Sequence, residues 1–210
     1  NEVSRVIFSR ARAAGRLNAD QIVAMYESQR QASAELDYIL ARRRQRSRVL
    51  LLDMDGTVTP ARFAVELARL TGREAALAQL LDSPTDDAIT RSNRIAELFR
   101  FVHQQDFERV AQGMALRPGV IEFVNGMRRA GFMVGLLSDS YFVAADIVRR
   151  RLFADFALAH TLHFDGEVCS GRVRLNSALM ARAGDHGPAM CKSHVISRLR
   201  QERRAPGALE

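Results

Sequence analysis

The sequence lacks tryptophan and has only two cysteines and a single lysine among its 210 residues. Cys169 and Cys191 do not have the spacing of a metal motif, and one pair gives no disulfide framework. No apolar run approaches the roughly 20 residues of a membrane-spanning helix. The first residues mix Glu2, Arg5 and Arg10 among apolar ones, unlike a signal-peptide core. We therefore expect a cytoplasmic protein without a membrane partner.

The formal net charge of +7 raises the question of a nucleic-acid partner. Ten arginines against five acids place most of the excess in residues 1–48. The arginine-rich run 42–48 has the charge to bind phosphates, but no aromatic residue interleaves with it to stack bases. A solvated helix end is the commoner meaning of such a run, so we expect no nucleic-acid partner.

Residues 1–47 are predicted to form a helical segment that precedes the rest of the fold. Apolar residues recur at i, i+3 and i+4, first around 22–26 and again around 36–40, and Gly15 divides the segment. We interpret it as a packing arm through which a homodimer forms, and not as a catalytic element.

From residue 48 onward, apolar runs of strand length alternate with helical stretches. Runs 48–53 and 132–137 are typical of buried parallel strands, and helices are predicted in between and afterwards. This order predicts an α/β fold, a Rossmann-like parallel sheet with helices on both faces and a small inserted α-helical cap. We assign 48–59 and 116–210 to the core and 60–115 to the cap.

Helix and turn signals locate the individual elements. The helices are predicted from Pro60 to Leu70 with Gly72 as the stop, from Ser83-Pro84 to Val102, from Pro118-Gly119 to Arg129 and from Phe142 to Leu152. Residues 162–173 alternate around Asp165-Gly166 and predict a β-hairpin. Residues 181–191 are predicted to be a loop.

The motif with the clearest chemistry, Asp-Met-Asp-Gly-Thr at 53–57, follows the first strand directly. Ligands of open α/β sheets bind beyond the carboxyl ends of their strands. Two carboxylates one residue apart allow Asp53 to attack phosphorus while Asp55 transfers a proton, and their mutual repulsion favours a divalent cation. A calcium loop is excluded by Val58 and Ala64 at its glycine and glutamate positions. A plain polar turn is the remaining alternative.

Two further residues fit a phosphate site. Ser138 ends the second strand as Asp53 ends the first, so its hydroxyl and the backbone N–H groups from Asp139 onward can hold phosphate oxygens. Lys192 is the only lysine beside 30 arginines, which suggests a place that needs a compact, rotatable charge. A strand-end cap and a chance helix start are the alternative interpretations.

The motif at 53–57, Ser138 and Lys192, in this order, resemble the first three motifs of the haloacid dehalogenase superfamily. Residues 48–210 look most similar to its phosphoserine phosphatase branch, through 116–120, 137–142, 153–162, the hairpin and 191–192. The resemblance implies an aspartyl-phosphate at Asp53 and proton transfer by Asp55. It further implies that Thr57 orients Asp53, that Ser138, Asp139 and Lys192 bind phosphate, and that Asp53 and Asp55 hold Mg²⁺.

The sequence departs from that pattern at two points. The fourth motif, an acidic pair that completes the magnesium site, has no counterpart before Glu210, so we expect either a fragment or an impaired enzyme. The branch's amine-binding glutamate is replaced by Arg62, with Glu66 as an alternative after a one-residue shift. Arg94 matches the cap arginine that binds a substrate carboxylate. Two arginines at the site favour an acidic substrate.

Three functions follow from these residues. The first is a magnesium-dependent phosphomonoesterase acting on a small acidic phosphorylated metabolite. The second is phosphotransfer to an alcohol, which the Ser-Asp-Ser sequence at 138–140 keeps open. The third is a non-catalytic regulatory module, which the missing fourth motif supports.

Overall fold

The computed structural model describes residues 48–83, 87–181 and 190–197. The predicted helical arm at 1–47 and its homodimer contact lie outside these residues. So does most of the predicted loop 181–191. No helix in the described ranges is long and apolar enough to cross a membrane.

Four strands form one sheet in the order β1-β2-β3-β4. The strands are β1 (Arg48–Asp53), β2 (Phe132–Tyr141), β3 (Phe156–Asp165) and β4 (Val168–Arg174). β1 pairs with β2 and β2 with β3 in parallel, whereas β3 and β4 form an antiparallel hairpin. The predicted α/β fold with a parallel sheet is therefore confirmed, together with its first strand and its hairpin.

Two strands extend further than the sequence indicated. β2 continues past residue 137 to Tyr141, with a register shift between Leu137 and Tyr141. β3 begins at Phe156, so the prediction of a hairpin alone missed its parallel half. That half contains two alanines and no β-branched residue before Thr161, and its strand conformation comes from pairing with β2 and not from local propensity.

Helices fill the connections between the strands. They are α1 (Phe63–Thr71), α2 (Glu74–Leu81), α3 (Ala88–Leu98), α4 (Gln104–Gly113), α5 (Val120–Arg129) and α6 (Phe142–Arg151). The helices predicted over 60–70, 119–129 and 142–152 agree with α1, α5 and α6. Gly72 ends α1 in the left-handed conformation, as a glycine at that position allows.

The helix predicted to run through Val102 ends early, at Leu98. The next residues turn onto the hairpin, because Phe101 N donates to Cys169 O at 2.8 Å and His103 forms a bridge with Val168. Phe101 has a φ of 67° at this corner. Pairing with the edge of β4 thus interrupts an apolar periodicity that local sequence alone would continue.

The two faces of the sheet carry separate apolar clusters. Alternating residues of β1 and β2 divide between them, with Leu50 and Leu136 on one face and Leu51 and Leu137 on the other. The first cluster includes Phe63 of α1 and extends into the other inserted helices. α1 to α4 therefore share a continuous core with the sheet, and their separate status as a cap stays a prediction.

Candidate active site

The loop after β1 is folded around one backbone carbonyl. The carbonyl oxygen of Met54 accepts hydrogen bonds from the N–H groups of Val58 and Thr59, both at 3.0 Å, and from the Thr59 hydroxyl at 3.1 Å. Met54 N donates to Leu137 O at 3.1 Å, which continues the ladder of β1 and β2. The loop therefore turns sharply directly after Asp53.

Gly56 makes this turn possible and is held from a distant part of the chain. Its φ of 79° lies in the left-handed region that favours glycine. The guanidinium of Arg117 donates to Gly56 O at 2.7 Å, and Arg117 N donates to Val58 O at 2.9 Å. The segment that returns from the inserted helices thus fixes the loop that carries the two aspartates.

Asp55 accepts a hydrogen bond from the first turn of α1, with Phe63 N donating to Oδ1 at 2.9 Å. Burial raises the pKa of Asp55 to about 6, and the charges of Asp139 and Asp53 act in the same direction. The Phe63 hydrogen bond and the charge of Lys192 lower the pKa and offset only part of this rise. A carboxyl with a pKa near neutrality can both give and take a proton at physiological pH.

Lys192 joins the far end of the described chain to the end of β1. Its Nζ lies 2.6 Å from Asp53 Oδ1 and 3.3 Å from Asp139 Oδ1. Burial lowers the pKa of Lys192, but the hydrogen bond to Asp53 and the charge of Asp139 outweigh burial and raise it. The ammonium is therefore charged and placed against the carboxylate expected to react.

Ser138 lies at the same edge of the sheet. Asp53 pairs with Leu137, so Ser138 is one residue beyond the neighbour of Asp53 on β2. Its side chain is fully buried, and its Oγ accepts a hydrogen bond from Ser140 N at 3.1 Å. Four of the predicted residues, Asp53, Asp55, Ser138 and Lys192, are thus brought to the same end of the sheet, and Asp139 joins them through Lys192.

The other three predicted residues, Thr57, Arg62 and Arg94, are exposed. Thr57 is exposed, and its backbone N–H donates to Met54 O at 3.3 Å. Arg62 is the exposed N-cap of α1, next to the Phe63 N–H that binds Asp55. Arg94 is exposed on α3.

The donor set fits Mg²⁺ without forming a closed cage. The described residues contain no group of three or more His, Cys, Asp or Glu side chains arranged around one point. Mg²⁺ commonly takes one or two carboxylates, with substrate phosphate and water completing its shell. Asp53, Asp55 and Asp139 place three acids beside one lysine, and their repulsion helps to raise the Asp55 pKa. A divalent cation would relieve this excess negative charge.

Sequence reasoning missed His160 on β3. This side chain is fully buried, and its Nδ1 accepts a hydrogen bond from Asn176 N at 3.0 Å. Burial lowers its pKa, while the charge of Asp139 raises it and that of Lys192 lowers it. The signal in the sequence was one histidine in an otherwise apolar strand, which alone more often indicates packing than function.

A parallel sheet with Asp53 and Ser138 at the ends of neighbouring strands, and Lys192 reaching Asp53 from the C-terminal segment, defines an α/β protein with a candidate ligand site at the carboxyl ends of its strands. A family model for the haloacid dehalogenase-like hydrolases matches residues 50–206. The chain belongs to this family.

Curated relatives carry the name phosphoserine phosphatase. The chain is 24% identical to the protein from Archaeoglobus fulgidus over 130 residues, which cover 60% of this chain and 38% of that one. It is 26% identical to the protein from Albidiferax ferrireducens over 131 residues, covering 60% and 55%. The chain thus spans about half or less of the length of these relatives.

Solved structures show the same fold at low sequence identity. A substrate-bound phosphoserine phosphatase complex superposes with a TM-score of 0.61 at 14% identity, covering 76% of this chain and 73% of that one. A phosphoserine phosphatase solved as a phospho-aspartyl intermediate analogue gives a TM-score of 0.56 at 18% identity, covering 61% and 63%.

Proposed function

We propose that the protein is a magnesium-dependent phosphomonoesterase that forms an aspartyl-phosphate on Asp53. The observation that carries this proposal is the contact of 2.6 Å between Lys192 Nζ and Asp53 Oδ1, with Asp55 beside it at a pKa of about 6. A charged lysine at a carboxylate neutralises the phosphoryl group as that carboxylate attacks it.

The first chemical step transfers the phosphoryl group to the protein. Asp53 Oδ1 forms a bond to phosphorus as the bond from phosphorus to the ester oxygen breaks, and Asp55 gives its proton to the departing alkoxide. In the second step a water gives a proton to Asp55 and attacks phosphorus, which releases phosphate and restores the Asp53 carboxylate. Ser138 and Lys192 hold the phosphoryl oxygens in both steps.

Mg²⁺ would be held by the Asp53 carboxylate and the Asp55 backbone carbonyl. When bound, it supplies positive charge that balances the phosphoryl oxygens. The hydrogen bond from Phe63 N keeps the Asp55 side chain oriented on the loop, independently of the cation. Family membership supports magnesium, which is typical of these hydrolases.

We propose a small acidic phosphorylated metabolite as the substrate. Arg62 lies at the start of α1, directly before the residue whose N–H binds Asp55, so its exposed side chain can reach a ligand over the aspartates. Glu66, the alternative amine-binding residue, is paired with Arg69 at 2.7 Å. The relatives named phosphoserine phosphatase support a phosphorylated small molecule, while the charge of Arg62 argues for an anionic group instead of an amine.

Phosphate release from a panel of phosphomonoesters tests the proposal, with and without Mg²⁺, in the full-length protein. We expect turnover of esters that carry an additional carboxylate and its loss in Asp53→Asn. Asp165→Asn, on the exposed hairpin turn, is the matched control and should behave as the wild type. Turnover that survives Asp53→Asn would overturn the assignment of the nucleophile.

Added alcohols distinguish hydrolysis from phosphotransfer. A phosphorylated alcohol in the products would favour the transferase alternative, because the acceptor then replaces water at the aspartyl-phosphate. A folded protein that binds phosphate but releases none from any ester would favour the regulatory module.

A further inference from the structure

Lys192 is shared between two carboxylates in the structure. Its Nζ lies 2.6 Å from Asp53 Oδ1 and 3.3 Å from Asp139 Oδ1. A phosphoryl group on Lys192 would bring further negative charge to the same ammonium, and like charges at such distances repel. The contact to Asp139 is the longer of the two, so we expect Asp139 to be the carboxylate that a phosphoryl oxygen displaces from Lys192.

Asp139 has the freedom to make this move. Its side chain is 61% exposed. It lies within the break in the β2–β3 pairing, between Leu137 and Tyr141, and the ladder resumes where Tyr141 pairs with His160. His160 is therefore the residue of β3 that flanks the interrupted segment.

His160 offers a hydrogen-bond donor at this place. Its Nδ1 accepts from Asn176 N at 3.0 Å, so in the neutral ring the proton is on Nε2. Nε2 is buried and has no hydrogen-bond partner in the described ranges of the chain. A buried donor without a partner is costly, and such groups in native proteins call for an explanation. The charges of both Asp139 and Lys192 reach His160, since each shifts its pKa.

We propose that His160 is a positioning residue of the phosphate site, whose Nε2–H binds the Asp139 carboxylate when a phosphoryl group displaces it from Lys192. The inference rests on the proposed function, because it requires a phosphoryl group on Lys192. It assigns His160 no contact with the substrate and no proton transfer.

Two substitutions separate this role from packing. His160→Asn keeps an acceptor for Asn176 N–H near the position of Nδ1 but removes the donor at the far side of the ring. His160→Gln reaches the position of Nε2 with an amide N–H and gives up the acceptor near the backbone. In the full-length protein with Mg²⁺, we expect calorimetry to show about tenfold weaker binding of inorganic phosphate for His160→Asn, and His160→Gln to stay within about threefold of wild type.

The same phosphate-binding measurement is repeated with His160→Asn introduced into the Asp139→Asn variant. Without the charge on residue 139 there is no anion to remove from Lys192, so His160→Asn should lose its effect there. An equal loss in both backgrounds would assign His160 a packing role and overturn the inference. The inference is also overturned if the wild type hydrolyses phosphomonoesters and His160→Asn binds phosphate as tightly as the wild type does. A wild type that neither binds phosphate nor hydrolyses esters would overturn the proposed function itself.

A second measurement leaves position 160 unchanged. In the wild type, the ¹⁵N–¹H signal of His160 Nε2 should shift downfield when phosphate is added, because its hydrogen bond to a carboxylate then forms. In Asp139→Asn this shift should be lost or much smaller. The same shift in both proteins would overturn the inference even if the variants at 160 do not fold.

Discussion

Lys192 Nζ and Asp53 Oδ1 are 2.6 Å apart, although 139 positions separate the two residues in the sequence. The contact joins the end of β1 to the turn that begins the described C-terminal segment 190–197. Val195, one helical turn further on, packs with Leu137 in the smaller apolar cluster and anchors this segment beneath the sheet. The position of the ammonium is thus set by burial of its neighbours as well as by the carboxylate.

Lys192→Met should lower kcat/KM for phosphomonoesters by about 100-fold to 1,000-fold, the usual loss when one charge-stabilising group is removed. Lys192→Arg should recover little, because a planar guanidinium cannot replace a compact ammonium held by two carboxylates. Steady-state kinetics test both variants, with Arg129→Met at the exposed end of α5 as the control. Lys192→Met with more than a third of wild-type activity would contradict the role of the lysine.

Asp55→Asn should stabilise the protein at pH 7 when measured with a chelator present. Burial raises the folded-state pKa of Asp55 from 3.8 to about 6, so the folded state binds more protons than the unfolded state between these values. Stability is then lost as the pH rises through this window, by about 1–3 kcal/mol in total. An asparagine Oδ1 still accepts from Phe63 N–H but carries no charge.

The measurement is urea unfolding between about pH 3.5 and about pH 7.5, a range that brackets the window of about 4 to 6. The difference in the free energy of unfolding between Asp55→Asn and wild type should grow as the pH rises and then level off above about 6. A difference that is independent of pH would mean that the Asp55 carboxyl titrates normally.

The parts of the fold that could be predicted are those in which local pattern and tertiary structure agree. β1, α1, α5, α6 and the hairpin each have a clear apolar pattern, and glycine or proline marks the ends of α1 and α5 and the turn of the hairpin. The start of β3 and the end of α3 could not be found, because pairing with neighbouring strands determines both. A window of sequence contains no information about these partners.

The candidate site, like the fold, could be predicted only in part. Asp53 and Ser138 could be placed together because carboxyl ends of parallel strands meet at one edge of the sheet, and Lys192 was conspicuous as the only lysine. The sequence could not show that Asp139 shares Lys192 with Asp53, nor that His160 is buried beside them. These relationships depend on the break in the β2–β3 register and on the return of the chain at Asn176.

Arg62→Glu should change substrate preference more than it changes the chemistry. Reversing the charge at the N-cap of α1 should lower kcat/KM for esters with an extra carboxylate by about tenfold and raise it for esters with an amine, since each close charge contributes on this scale. The ratio of kcat/KM for the two classes of ester is the measurement. Arg129→Glu introduces the same charge change elsewhere and should leave the ratio unchanged, while an equal shift in both variants would indicate a general electrostatic effect.

Gly135→Ala should destabilise the sheet by about 1–3 kcal/mol, the usual cost of overpacking. Gly135 pairs with Leu51 and Phe156 in the middle of β2, and a Cβ at this position would overlap the Phe156 ring. Glycine inside a strand often marks such a close approach. Adding Phe156→Leu to Gly135→Ala should recover part of the loss, because the smaller side chain leaves room for the methyl group.

Thermal and urea unfolding of the single and double variants measure this coupling. Gly126→Ala is the matched control, since Gly126 is inside α5 and an added Cβ there would meet nothing within 4 Å. Alanine favours the helix, so this control should gain about 0.5–1 kcal/mol. If Gly135→Ala were as stable as wild type, or if Phe156→Leu simply added its own loss, β2 and β3 would not be in the close contact that positions Ser138 and His160 at the same edge of the sheet.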